Sequence, residues 1–302
     1  MPSAVADLPG LSLVATPTKR RAVIEAAQEA ERRGFPAIAC PMLGGALGFV
    51  TSLAHETTTI EFFTSIQGIY GVHANELGSL ASHVDELSDG RFRLGLGVSH
   101  HAMTKRLGVQ SPTPLVDIRE YVDALRANER YGGRLPPIYL AAMRDKMLDL
   151  ALDIADGALW ANASLRHART QVRRVRVAHP DAHLGVMIPT VIDDDVDAAA
   201  AVNRKTLDVY LRLPNYRNYW HAAGYGEGLE RVEAALANGE RDGLSALMGD
   251  EWLADCSLYG PVSRIRDGFA AWAELGVHPV AVMSSTSGGQ LRAVADLFAA
   301  FA

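Results

Sequence analysis

The sequence predicts an α/β protein of the (β/α)8 TIM-type barrel class, on three observations. Short apolar runs alternate with amphipathic stretches along the chain. Eight of the runs have strand character, and most are followed by a helical pattern. The 302 residues suffice for eight such units, which need about 250. Strict alternation of strand and helix implies parallel pairing, because a parallel partner is reached only through a crossover. The rival is an open doubly wound sheet, which a Gly-rich turn after the first strand would favour; Ala15-Thr16-Pro17-Thr18 contains no glycine.

The first strand is expected at Leu11–Ala15. Lys19–Arg33 then carries Val23, Ala26, Ala27 and Ala30 on one face and stops at Gly34, as a helix should. Phe35–Cys40 is the second strand and Ile60–Ile66, β-branched and aromatic, the third. His73–Ser88 reads as a helix closed by the turn Asp89-Gly90. Arg91–Val98 is the fourth strand, alternating and then glycine-rich; Asp117–Ala127 is helical. Pro137–Ala141 is the fifth strand, Met143–Ala155 a helix, Gly157–Ala161 the sixth strand and Leu184–Ile192 the seventh. Asp193–Asp195 suit the start of a following helix, whose dipole favours acids there. Pro279–Met283 is the eighth strand, and Gln290–Phe301 closes the chain as an alanine-rich helix. The stretch 202–255 is too long for one connection and is expected as a helical excursion after strand seven, within a single domain spanning 1–302.

Composition removes whole classes of function. With 48% hydrophobic and 21% charged residues the chain is globular, and no apolar run approaches the roughly 18 residues that cross a bilayer. The start MPSAVADLPG has no basic segment followed by an apolar one, so a cytoplasmic location is expected. Net charge is −6 and no basic stripe is present; the arginines of Ser164–Val177 read as a solvated helix face, which argues against nucleic acid as a partner. Two distant cysteines, Cys40 and Cys256, make neither a disulfide framework nor a zinc cluster.

The stretch ELSDGRFRLGLGVSH, ending at His100, resembles the helix-to-strand-four junction of the bacterial luciferase-like monooxygenase superfamily. AERRGFPAI, ELGSLASHVDELS, PIYLAAMRDKMLDLALDIADGALWAN, IPTVIDDDVDAAAAVNRKTLDVYLRLPNYRNYW and GPVSRIRDGFAAWAELGV resemble further segments of that superfamily in order, over nearly the whole chain. The resemblance implies a TIM-type barrel and an oxidoreductase. Its expected cofactor is the deazaflavin coenzyme F420, with FMN-dependent monooxygenation or flavin binding without turnover as alternatives. The expected partners are a small-molecule substrate and, by default, a second copy of the chain in a homodimer. A metal-dependent hydrolase would need His-x-His on strand one, where Leu11–Ala15 has no histidine.

Barrel chemistry sits at the C-terminal ends of the strands, which selects the candidate residues. At strand three the resemblance implies a cis peptide at Ser65–Ile66 and a bulge behind the flavin ring, formed by Thr64, Ser65, Ile66 and Gln67. At strand four Gly97, Val98 and Ser99 lead to His100. Its position matches one where some deazaflavin-dependent relatives carry an acidic catalytic residue, so His100 is the catalytic candidate. The strand-four glycines admit either a ligand or a close-packed backbone. His100 alternatively serves structure, or a metal together with His101. At strand two Met42 and Leu43 replace an acid–histidine pair common among relatives, which removes the usual base and gives an apolar floor. Cys40 there is a buried apolar cysteine or, less simply, a reactive thiol.

At strand five Ala142, Met143 and Arg144 fall near the cofactor tail by resemblance, with Arg144 either a clamp for an anion or a surface charge. At strand six Ala161, Asn162 and Ser164 match the place where relatives hold the cofactor phosphate; Arg166 and His167 could add charge. The strand-eight loop Ser284–Gly289 is a phosphate cradle or a plain flexible loop. Tyr210–Trp220 shapes a substrate mouth or packs as core or interface.

Overall fold

The computed structural model describes residues 8–109 and 113–302. These divide into two compact bodies, residues 8–159 with 182–185, and residues 160–181 with 186–302.

The first body opens with β1 (Gly10–Ser12), α1 (Arg20–Arg32), β2 (Ala37–Cys40), α2 (Ala46–Glu56), β3 (Glu61–Thr64), β4 (Gln67–Gly68) and α3 (Ala74–Leu87). It continues with β5 (Phe92–Gly97), α4 (His101–Arg106), α5 (Pro114–Ala127), α6 (Glu129–Gly132), β6 (Ile138–Ala141), α7 (Asp145–Ile154) and the start of β7 (Gly157–Ala161). Each strand pairs in parallel with the next principal one, in register at Leu11↔Ile38, Ile38↔Phe62, Phe62↔Phe92, Leu94↔Ile138 and Leu140↔Ala158. All these side chains are buried. Helices pack through the stripes that their 3.6-residue period creates, Val23, Ala27 and Ala30 on α1, and Leu77, Ala81 and Val84 on α3. α1 ends at Gly34, whose φ of 79° is glycine's territory.

The second body holds the end of β7, α8 (Leu165–Ala178), most of β8 (His183–Ile192), α9 (Val196–Leu211), α10 (Pro214–Ala222), α11 (Gly226–Ala237) and α12 (Asp250–Cys256). β9 (Leu258–Gly260), α13 (Val262–Ala273), β10 (His278–Ser284) and α14 (Gln290–Ala300) complete it. β8 pairs in parallel with β9 at Thr190↔Leu258 and also with β10. The Asp195 carboxylate caps α9 by accepting the Ala198 amide at 3.0 Å. The expected excursion is present as the greater part of α9 together with α10, α11 and α12, around buried Tyr216, Tyr219, Trp220 and Trp252.

The principal strands β1, β2, β3, β5, β6, β7, β8 and β10 correspond to the eight predicted ones, and the fold is the predicted eight-stranded α/β barrel of TIM type. Local differences have physical causes. Strand three stops at Thr64 rather than Ile66, because a bulge follows it. Strand one is shorter than expected, although the Leu13 amide still donates to the Ala39 carbonyl at 2.9 Å. α2 is additional: Gly44 and Gly45, with φ of 77° and 94°, turn the chain into it where a Cβ on Gly44 would lie 2.6 Å from the Ala15 carbonyl oxygen. Among the described residues no helix is long and apolar enough to cross a membrane.

Candidate active site

In the first body the site begins with a misfit between two strands. Phe63 of β3 lies opposite Arg93 of β5, and Gln67 of β4 lies opposite Leu96. Four steps on one strand thus match three on the other, which defines a bulge at residues 64–66. The Ser65–Ile66 peptide within it is cis. The bulge is tied down on both sides. The Thr64 hydroxyl donates to the Gly95 carbonyl at 2.7 Å, and the Ser65 amide donates to the Cys40 carbonyl at 2.9 Å. Thr64 and Gln67 are buried.

The glycines of β5 are explained by this bulge. A Cβ on Gly95 would lie 1.8 Å from the Thr64 carbonyl oxygen. One on Gly97 would lie 2.8 Å from Ile66 Cδ1 and 3.1 Å from Ala141 Cβ. One on Gly68 would meet Ser99 Oγ at 2.3 Å and Met42 Sδ at 3.4 Å. Of the two readings the sequence leaves open, a close-packed backbone accounts for Gly95 and Gly97. Gly68, Met42 and Ser99 are thereby brought together beside the bulge.

Ser99 adopts the left-handed region, with φ of 60°, and hands the chain to His100, which stands at the start of α4 with its carbonyl accepting the Met103 and Thr104 amides at 2.8 and 3.0 Å. The His100 ring is half-buried with Nδ1 inside, and burial holds its pKa below the ordinary histidine value by penalising the charged form. The imidazole is therefore neutral at pH 7. The side chain of His101 lies outside the described residues, so the histidine pair is not addressed. Cys40 is fully buried and burial pushes its thiol far up, so it is the inert cysteine of the two alternatives. Leu43 stands 64% exposed. Ala142 is buried, with its amide donating to the Leu159 carbonyl at 2.9 Å; Met143 is half-buried and Arg144 exposed at the start of α7.

In the second body the loop after β7 is closed by the chain itself. Asn162 sits in the left-handed region with φ of 55°; its amide donates to the Met187 carbonyl at 3.0 Å, and its carbonyl accepts Trp220 Nε1 at 3.1 Å. Ser164 caps α8 by accepting the His167 amide at 3.0 Å, and its own amide donates to the Tyr219 hydroxyl at 3.1 Å. The Asp255 carboxylate then accepts the Arg166 amide at 3.0 Å, the Tyr225 hydroxyl at 2.7 Å and the Ser164 hydroxyl. The amides that the sequence offered to a phosphate are thus bonded within the protein, and an acid occupies the place of an anion. Arg166 is likewise engaged, with Glu251 at 2.9 Å and over the Tyr225 ring.

Tyr219 and Trp220 are fully buried, which resolves their segment as core. The strand-eight loop is no better as a phosphate cradle, since the Thr286 hydroxyl donates to Asp193 and the Ser285 hydroxyl to Asp296. Sequence reasoning missed Asp255 altogether. A single acid in a short helix carries no signal when its partners lie 89 and 91 residues away.

The parallel α/β barrel of TIM type defines the class of fold. A family model described as luciferase-like monooxygenase matches residues 4–279, and the chain belongs to this family of enzymes. It is 32% identical over 134 residues to a 5,10-methylenetetrahydromethanopterin reductase of Methanolobus tindarius, covering 38% of this chain and 41% of the relative. A protein of that description from Archaeoglobus fulgidus is 30% identical over the same length, covering 38% and 40%. The match thus spans about two fifths of these curated relatives. Among solved structures, the coenzyme F420 dependent tetrahydromethanopterin reductase of Methanopyrus kandleri superposes with a TM-score of 0.74 at 18% identity, over 97% of each chain. The FMN complex of the oxygenating constituent of 3,6-diketocamphane monooxygenase from Pseudomonas putida superposes with a TM-score of 0.66 at 14% identity, over 97% and 95%.

Proposed function

We propose that this enzyme transfers a hydride between the deazaflavin coenzyme F420 and a small organic substrate. The observation that carries the proposal is the bulge at 64–66, beside which a neutral, half-buried His100 stands on the adjacent strand end. Ser65 Oγ is buried at the bulge without a hydrogen-bond partner, a donor awaiting an acceptor. The chain is also similar to a solved F420-dependent secondary alcohol dehydrogenase, with a TM-score of 0.69 at 14% identity over 96% and 97% of the chains, and to the F420-dependent reductase above.

Thr64, Ser65, Ile66 and Gln67 would back the ring, and Gly97, Val98 and Ser99 would border it. Arg144, exposed at the start of α7, offers a positive charge to an anionic tail beyond Ala142 and Met143. Ala161, Asn162 and Ser164 belong to the second body and carry no part of this reading; the Ser164 hydroxyl is bonded to Asp255.

The cofactor supplies the two-electron step, and the protein positions the partners and excludes water. A substrate that receives a hydride at carbon also needs a proton at its neighbouring heteroatom or carbon. In the oxidative direction, where the substrate carbon gives up the hydride, neutral His100 would take the proton of the neighbouring heteroatom and become imidazolium; in the reductive direction it would deliver a proton only after gaining one from solvent. Met42, beside Gly68, adds an apolar side chain next to the bulge, which suits a non-polar substrate face. Titration of purified protein with F420 and with FMN, followed by absorbance and fluorescence, tests the reading. Micromolar F420 binding, followed by bleaching or recovery of its visible band with a panel of enones and alcohols, is expected. Binding of FMN alone would replace it with the monooxygenase reading, and binding of neither would end both.

A further inference from the structure

We propose that Asp117, near the start of α5, is a positioning residue: it ties the segment that leaves the bulge to the segment that leaves His100, and so holds these two parts of the proposed site at a fixed spacing. The role deepens the proposed function and rests on it for the identity of the ring.

Both segments end on one carboxylate. Beyond the bulge the chain pairs with β5 as β4 and passes through a 3₁₀ turn, Ile69–Gly71, into α3. Tyr70, in that turn, donates its hydroxyl to Asp117 Oδ2 at 2.5 Å. The chain that leaves His100 is held by local bonds: the Thr104 amide donates to the His100 carbonyl at 3.0 Å, and the Val109 amide to the Thr104 carbonyl at 3.0 Å. Further along, Thr113 donates its amide to Asp117 Oδ2 at 2.8 Å and its hydroxyl to Oδ1 at 2.6 Å. The acid thus completes the start of α5 and also reaches 47 residues back to Tyr70. Burial raises the Asp117 pKa, but the bonds from Thr113 and Tyr70 outweigh it and hold it below the ordinary carboxyl value. Burial and the neighbouring acid push the Tyr70 hydroxyl up, so it keeps its proton. A charged acceptor with neutral donors makes the stronger kind of hydrogen bond.

The turn is held to α5 across a cavity of about 580 Å³, lined on one side by Tyr70 and Val72 and on the other by Asp117 and Tyr121. Two hydroxyls bridge its walls: Tyr70 to Asp117, and Tyr121 to the Val72 carbonyl at 2.7 Å. The Asp117 bridge alone of the two continues to Thr113. Just before the turn, Gly68 lies so close to Ser99, the neighbour of His100, that a Cβ on it would meet Ser99 Oγ at 2.3 Å. A slip of the Tyr70 turn therefore presses on the His100 turn by contact as well as through Asp117.

The test removes the carboxylate in Asp117→Ala and the single hydroxyl in Tyr70→Phe. Val23→Ala, a truncation of a fully buried residue on α1, weakens the same body elsewhere. Hydrogen exchange of the full chain without cofactor is read by mass spectrometry in peptides covering 65–70 and 103–109, each relative to a β6 peptide of the same variant. Asp117→Ala should speed exchange at least about tenfold in both, and Tyr70→Phe in 65–70, the factor given by loss of a hydrogen bond to a charged group. Val23→Ala should leave both ratios unchanged. In F420-loaded enzyme Asp117→Ala should lower kcat about tenfold or more with KM and the F420 Kd nearly unchanged, because a misplacement of about 1 Å costs about 100-fold in rate. If Asp117→Ala does not fold, Asp117→Asn keeps the size, removes the charge and should move both peptides in the same direction.

An Asp117 variant that loosens one of the two peptides alone, or neither, refutes the tie whatever the cofactor. A loss of kcat that Val23→Ala matches, or one that comes with an equal loss of F420 affinity, refutes the positioning role and leaves the ring proposal standing. If no flavin or deazaflavin binds the wild type, the ring proposal fails by itself. The exchange arm then decides: loosening of both peptides supports the tie through Asp117, and loosening of one refutes it.

Discussion

Gly95→Ala and Gly97→Ala make a matched pair, because the same methyl group meets two different obstacles. At residue 95 it would lie 1.8 Å from the Thr64 carbonyl oxygen, a backbone atom. That backbone cannot simply retreat: the Thr64 hydroxyl is bonded to the Gly95 carbonyl and the Ser65 amide to the Cys40 carbonyl. At residue 97 the methyl meets Ile66 Cδ1 at 2.8 Å and Cγ1 at 2.9 Å, where a rotation about the side-chain bonds gives relief, and Ala141 Cβ at 3.1 Å, which must give by a few tenths of an ångström. Overpacking costs about 1–3 kcal/mol and sometimes more, so Gly95→Ala belongs at about 3 kcal/mol or above and Gly97→Ala near about 1 kcal/mol. At about 2 °C per kcal/mol for a chain this long, midpoints should fall by about 6 °C and about 2 °C. Thermal unfolding followed by far-ultraviolet circular dichroism at one scan rate measures both. A Gly95→Ala variant within a degree of wild type, or a Gly97→Ala variant that loses as much, would refute the claim that the strand-four glycines exist to admit the bulge.

Three further outcomes are expected. His100→Ala should lower turnover more than cofactor affinity, and equal loss of both would remove its proton-transfer role; moreover, because burial lowers the folded-state pKa, the unfolded chain binds the extra proton first and stability falls as pH drops through about 6.5, so the midpoint loss between pH 7 and 5.5 should shrink in His100→Gln. Neither cysteine should react with a thiol reagent in the native protein at pH 8, and both should react in denaturant, since burial raises both thiols; a fast native thiol would contradict the packing around β2 or α12. Glu31→Ala should cost about 2 kcal/mol, because Glu31 Oε1 accepts the Thr58, Thr59 and Ile60 amides at 2.8, 2.6 and 2.9 Å. Burial raises the Glu31 pKa but these bonds outweigh it and hold it below the ordinary value, so this stability is present above the unfolded carboxyl's pKa and fades as pH falls through the folded one; a variant with unchanged acid sensitivity would count against it.

What the sequence shows depends on how far apart the cooperating residues lie. The eight principal strands are legible because each is an apolar run bounded by local turn chemistry, as at Gly34 and Asp89-Gly90. α2 is not, because GFVTSLAHE has too few charges to mark a polar face, and a buried helix and a buried strand then look alike. β4 and β9, of two and three residues, exist only through their neighbours and have no period to read. The site divides in the same way. Cap residues at Ser164 and Asp195 are both visible locally, each accepting the amide three residues on. At α8, however, an acid arrives from 91 residues away and completes the cap, turning an apparent anion site into a filled one. Local sequence marks where a helix begins; the tertiary structure decides whether its first turn is left to bind something else, and in this chain Asp255 has taken that turn.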